Sequence, residues 1–300
     1  MFRQQIAMNK RKTFAVVAMY LVFFVLVGGA VGRLYMDNAL SGIALAVIAG
    51  LAYTLVMVAN STAIVMAMNG AREVKEKDDF PMYYNIVSDM AIVSHLPMPR
   101  MFVINDPSPN AFATGMSPEK SAVAVTTGLL ERLNREELEG VIAHEFSHIK
   151  NYDIRLQTVA VALGAVLGFL SQFSLRMAYF GGGRSRRSDD REDGGGAIVL
   201  ILSILLLILT PLMTAIMQMA ISRNREYLAD ASAVELTRNP QGLISALKKI
   251  SQSEPMQQVP AGSEGMYIMF PGAKGRGEER DHLFSTHPST ANRIKRLEQM

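Results

Sequence analysis

Apolar and polar positions along the 300-residue chain fall into two regimes. Three long stretches carry no charged residue at all: Thr13 to Val31, Asn38 to Asn69, and Ala197 to Ile221, the last dominated by Ile, Leu and Met. A bilayer core is crossed by about 20 apolar residues, so each stretch is long enough to span one. A further run, Thr158 to Phe173, is shorter and is interrupted by Gly164, Gly168, Ser171 and Gln172. Elsewhere the periods are those of a folded domain. FPMYYNIVSDMAIVSHL, from Phe80, places apolar residues at helical spacing. PRMFVIN, from Pro99, predicts a short strand, and SAVAVTTGLL, from Ser121, predicts a strand running into a helix. NREELEGVIAHEFSHI predicts a helix capped by Asn134, with Glu137 closing a capping box and Leu138, Val141, Ile142, Phe146 and Ile149 as its buried stripe.

This patterning predicts a mostly α membrane protein with four transmembrane helices in two hairpins and an α+β domain at one membrane face. Residues 1–69 form the first hairpin, 70–155 the first half of the domain, 156–221 the second hairpin with its loop, and 222–300 the second half. Composition agrees: 49% of residues are hydrophobic and 19% charged, too apolar for an ordinary soluble domain and too polar for a transporter. The first run follows Arg3, Lys10, Arg11 and Lys12, as a secretory signal would. It exceeds the usual apolar core of a signal, and a second long run follows closely, which favours a retained hairpin. The positive cluster puts the N-terminus, and with it both halves of the domain, in the cytoplasm. Arg176, Arg184, Arg186, Arg187 and Arg191 in the later loop run against that orientation.

Charge and cysteine content narrow the classes further. The net charge is only +3 and the basic residues are dispersed, so the sequence pI near 9.1 implies no nucleic-acid partner. Without cysteine there is no disulfide framework and no thiolate metal site. Nothing in the chain predicts an oligomeric state.

The chemistry concentrates at HEFSH. Positions four apart on a helix lie one turn above each other, so His144 and His148 aim their imidazoles at a common point, as two ligands of a zinc ion do. Glu145, beside them, can take a proton from the water that such an ion activates. A catalytic zinc requires a third protein ligand. The metzincin pattern would need Gly at 151 and His at 154, where this chain has Asn151 and Ile154. A Glu from a later helix is the other solution. RNREYLADASAVELT supplies Glu226, with Asp230 on the same face able to accept the outer ring N–H of a ligand histidine. The bland reading of Glu226 is a solvated carboxylate paired with Arg223 or Arg225.

The order of parts, from apolar hairpin through HEFSH and two more apolar runs to SRNREYLAD and the terminal STHPSTANRIKRL, resembles the HtpX family of membrane-bound zinc metalloproteases, relatives of the CAAX-prenyl endopeptidases. The resemblance covers essentially the whole chain. It implies a zincin-like protease domain at the cytoplasmic face of the bacterial inner membrane, one zinc ion held by His144, His148 and Glu226, and Glu145 as the base. It also implies a stress-associated enzyme that hydrolyses peptide bonds of damaged or misfolded membrane proteins in quality control.

Two further regions follow from the resemblance. His287 and Arg293 match residues able to donate to the oxyanion, the alternative being a helix cap with a basic stripe. Asn110, Ala111, Phe112 and Ala113 match an edge strand that pairs with extended substrate, the alternative being a polar turn. His95 and His282 fit no ligand spacing. Glu226 lies five residues past Ile221, and Leu156 eight past His148, which places the site near the membrane surface and its substrates, unfolded or membrane-bound polypeptides, with it. A transporter would carry ionisable groups inside its spans, and these runs have none.

Overall fold

Asn38 accepts hydrogen bonds from the backbone N–H groups of Leu40 and Ser41, and that cap turns the first helix back on itself. The computed structural model describes residues 2–35, 37–162, 223–257, 259–260, 263–269 and 288–300. Helix α1, Phe2–Tyr35, and helix α2, Ala39–Ala59, form a hairpin. They touch backbone to backbone: a Cβ on Gly42 would collide with the carbonyl of Gly28 and with Gly32. Their outward faces expose Phe14, Val22, Leu26, Leu45, Ile48 and Leu55. Among the described residues, α2 is long and apolar enough to cross a membrane.

The second uncharged run is not one helix. At Asn60 the side-chain amide donates to Val56 O and Ser61 Oγ donates to Val58 O, local bonds that compete with the helical ladder. A separate helix, α3 (Ser61–Met68), follows and buries Val65 and Met66 beneath the sheet. The run from Thr158 is described only as far as 162; its remainder, the run Ala197 to Ile221, the arginine-bearing loop between them, His282 and His287 lie outside the described residues.

The domain is built on four strands: β1 (Ala71–Glu73), β2 (Arg100–Ile104), β3 (Ala111–Gly115) and β4 (Ser121–Thr126), in the order β1-β2-β4-β3. The central pair is parallel and both flanking pairs are antiparallel, which leaves β3 at an edge. Alternation sorts the side chains. Met101, Val103, Ala113, Val123 and Val125 pack against helices on one face, while Phe102, Ile104, Phe112 and Ala124 meet α3, Met266 and Tyr267 on the other.

The helices on the first face are α4 (Pro81–Ser94), which starts on a proline as its sequence requires, α5 (Thr127–Arg132), and α6 (Arg135–Lys150). After α6 come the helical stretch 153–162, here α7, then α8 (Arg223–Thr237), α9 (Pro240–Ser251) and α10 (Thr290–Leu297). Helix α6 lies between α8 and α9 and over the sheet, with Leu138, Val141, Ile142, Phe146 and Ile149 all fully buried. Each such side chain contributes about 1.5–3 kcal/mol of burial, so α6 is fixed in place before any site chemistry is considered.

Candidate active site

The capping box expected at the start of α6 is formed on both sides: Glu137 N–H donates to Asn134 Oδ1 at 3.0 Å, and Asn134 N–H donates to Glu137 Oε2 at 2.9 Å. Ten residues in, His144 and His148 face the same point, their Nε2 atoms 3.2 Å apart. Helix α8 enters from the opposite side and brings Glu226, with Oε2 3.5 Å from His144 Nε2 and Oε1 3.6 Å from His148 Nε2. All three side chains are buried.

The outer ring nitrogens explain why the inner ones face each other. His144 Nδ1 lies 3.0 Å from Asp230 Oδ1, and His148 Nδ1 lies 3.2 Å from Asp153 Oδ2. A carboxylate only accepts, so each ring donates its Nδ1–H outward and turns a lone pair on Nε2 inward. Two lone pairs at 3.2 Å repel unless a metal ion or a shared proton lies between them. Nitrogens each about 2.0–2.1 Å from a tetrahedral ion would sit roughly 3.3 Å from one another, which matches the observed spacing. The residues therefore fit a metal ion, and the ligand atoms of His144, His148 and Glu226 all lie within 4.8 Å of each other.

Charge in the site is heavily compensated. Without a metal, burial disfavours a charged His144, but its bonds to Asp230 and Glu226 outweigh this and push its pKa up to about 9, so that a proton takes the place of the cation. Burial also disfavours the Asp230 carboxylate, and Arg293 and His144 overcome it, holding Asp230 below the usual range. Glu145 is different. It is 1% exposed, both carboxylate oxygens are without a hydrogen-bond partner among the described residues, and burial raises its pKa despite the neighbouring histidines. A buried carboxylate left without a partner among the described residues, beside two imidazoles that could hold a metal, calls for an explanation that packing does not give.

Arg293, on α10, is drawn into this centre from the far end of the chain. Its Nε and Nη2 donate to the two oxygens of Asp230 at 2.9 and 2.6 Å, and Nη1 donates to the carbonyl of Ile268 at 2.8 Å. Ala111, Phe112 and Ala113 lie in the edge strand β3, whereas Asn110 precedes it and spends its side-chain amide on the carbonyl of Met269; all four residues are buried. The outer side of β3 is partly taken by the chain itself: Ile268 N–H donates to Ala111 O, and Thr158 Oγ1 accepts from Gly115 N–H. His95 is exposed and caps α4 in the left-handed conformation, away from the metal-ligand group. Asp153 escaped the sequence reading. The signal lay in an acidic residue five after His148, but only the reversal at Tyr152, with φ 58°, brings it back to the ring.

Residues 80–300 match Peptidase family M48. The chain belongs to that family. A Protease HtpX homolog of Ligilactobacillus salivarius is 56% identical over 300 residues, covering all of both chains, and one of Listeria monocytogenes is 52% identical over 306 residues, again covering both completely. Among solved structures, Ste24p of S. mikatae aligns with 98% of this chain and 67% of its own, at 18% identity and a TM-score of 0.49. With the M48 match and HtpX relatives across its whole length, the chain is a metalloprotease, a hydrolase of peptide bonds, and its buried His, His, Glu group is where a metal fits.

Proposed function

We propose that this M48 protease is a zinc endopeptidase of the bacterial inner membrane that cleaves damaged or misfolded membrane proteins near the cytoplasmic surface, in protein quality control. The observation that carries the reading is the pair of inward-facing Nε2 atoms 3.2 Å apart, closed by Glu226 and flanked by the unpartnered Glu145. The all-nitrogen and carboxylate donor set favours zinc. Bound there, the ion would supply Lewis acidity to the scissile carbonyl and to water.

The chain's own groups do the rest. His144, His148 and Glu226 hold the ion. Glu145 takes the proton from the attacking water and delivers it to the leaving amine. Asp230 and Asp153 fix the tautomers of the two imidazoles. Arg293 is assigned to positioning, because three of its five N–H groups go to Asp230 and Ile268 O and Nη1 also lies 3.9 Å from Glu226 Oε2. The oxyanion role falls to His287. Substrate pairs with β3: strand alternation points Ala113 N–H and C=O to the same edge as Ala111 and Gly115, with no partner for them there among the described residues.

Membrane attachment is supported by α2 and by the apolar residues that the α1–α2 hairpin turns outward, which water would leave unburied. A four-span, two-hairpin arrangement with both termini in the cytoplasm completes the topology. The test uses purified full-length chain in detergent with an unfolded membrane-protein substrate. Zinc should copurify, a chelator should stop cleavage, and Glu145→Gln should keep the metal and lose cleavage. Cleavage undiminished in Glu145→Gln would remove the base, and with it the reading.

A further inference from the structure

Asn9 lies inside α1, a helix whose neighbouring residues anchor a hairpin, yet it is 1% exposed and faces the protease site. Asparagine is a poor residue for a helix interior, and a buried amide is costly unless it is hydrogen-bonded. Its Nδ2 donates to Asp153 Oδ1 at 2.7 Å and to the carbonyl of Asn151 at 3.2 Å. The other oxygen of the same carboxylate holds His148 Nδ1 at 3.2 Å. A carboxylate between an amide donor and an imidazole donor has its plane fixed by both.

Neighbouring contacts act on the same turn. Arg225, one residue before Glu226, places Nη1 3.4 Å from Asp153 Oδ1. The Lys10 ammonium lies over the Tyr152 ring, 5.0 Å from its centre. Residues 151–153 are thus clamped between α1 on one side and α8 on the other. Without the Asn9 amide, Oδ1 would lose its short bond and keep, among the described residues, the longer contact to Arg225 and the charge of Lys12, and the carboxylate would rotate toward them and away from His148.

Resting on the metal-centre reading above, we infer that Asn9 is a positioning residue for that centre: it sets Asp153, which sets the tautomer and orientation of His148. The first helix of the hairpin is then a working part of the metal site as well as an anchor. The chemistry asked of Asn9 is a neutral donor. An acidic or apolar side chain there cannot supply it.

The experiment measures zinc affinity of the full-length chain in detergent by competition with a chelating indicator, for the parent, Asn9→Ala and Asn9→Leu, whose side chain keeps the same branched heavy-atom skeleton without the donor. Loss of a group that orients a metal ligand weakens affinity about 10–100-fold, and Asn9 acts at one remove, so about 10-fold is expected for both variants. In an Asp153→Ala background the same Asn9 substitutions should cost nothing further, whereas a packing role would cost the same in either background. Parent-like affinity in both Asn9 variants, or an undiminished loss in the Asp153→Ala background, overturns the inference alone. A parent that binds no zinc overturns the metal reading itself, and this inference with it.

Discussion

Arg293 grips both carboxylate oxygens of Asp230, at 2.9 and 2.6 Å, and Asp230 in turn holds Nδ1 of His144 at 3.0 Å. The C-terminal helix therefore reaches the His144 imidazole through one carboxylate. A lysine cannot make the two-pronged contact, because its ammonium is a single point of charge. Removing the guanidinium altogether leaves the buried Asp230 with His144 alone to offset its charge, which costs up to about 3–5 kcal/mol.

Arg293→Met should accordingly unfold at much lower denaturant concentration, and Arg293→Lys should fold but bind zinc about 10-fold more weakly. Denaturant titration and indicator competition read the two effects separately. If Arg293→Lys held zinc as tightly as the parent while losing turnover, the arginine would belong on the oxyanion after all.

Glu145 carries an electrostatic cost in the folded chain. Its pKa is raised by burial, so in the metal-free protein the folded state disfavours the ionised form that the unfolded chain adopts freely. That penalty appears as pH climbs above the ordinary carboxylate value of about 4.3 and is complete once pH passes the raised folded value. Glu145→Gln removes the titrating group. The metal-free variant should be more stable than the metal-free parent at neutral pH, with a flatter stability profile above pH 5, while proton-transfer catalysis falls by at least about 100-fold. Thermal melts of chelator-treated protein across pH check the first part. A variant less stable than the parent would mean that Glu145 has a structural partner.

What the sequence made legible was local. Asn134, Glu137 and the apolar stripe of α6 are near neighbours in the chain, and the helix they predict runs from Arg135 to Lys150 as observed. His144 and His148 met by helical geometry alone, and α8 spans Arg223–Thr237, matching the stretch read for it. What stayed hidden depended on the chain folding back. Strand β1 is three residues long, too short for alternation to register, and the break at Asn60 is made by side-chain bonds inside an unbroken apolar run. Asp153 and Asn9 are 144 residues apart, so no spacing rule could pair them. Arg293 was placed near the site by resemblance, but the atoms it holds are a tertiary fact.

Glu137 offers a pH effect away from the metal. Burial opposes its charge, yet Lys249, Ser245 and the Asn134 N–H outweigh that and hold its pKa below the ordinary value. A depressed folded pKa contributes stability above the unfolded value that is lost as pH falls through the folded one. Glu137→Gln should therefore lose about 1–2 kcal/mol at neutral pH, for the charge-assisted bond to Lys249 and the weakened cap. Parent and variant should converge only as pH falls below the ordinary value of about 4.3 and through the lower folded one. Denaturant midpoints at pH 7 and pH 3.5 test it, and an equal gap at both would show that the charge contributes nothing.

Gly140 sits one turn before His144 on α6, where α9 crosses. A Cβ there would lie 2.8 Å from the backbone nitrogen and 3.0 Å from the Cα of Leu243, so the helices touch through backbone and neither has a flexible side chain to move aside. Gly140→Ala gains helix propensity, about 1 kcal/mol in an exposed helix interior. Here overpacking should outweigh that gain, with a cost of about 1–3 kcal/mol before the propensity is credited. Because α6 is also held by α8 and the sheet, the strain should go into shifting α9. Stability then falls, while zinc affinity, set by α6 against α8, stays within about 3-fold of the parent. A large fall in zinc affinity would show instead that α6 itself moves, and that the metal ligands depend on the α6–α9 contact as closely as on their own helices.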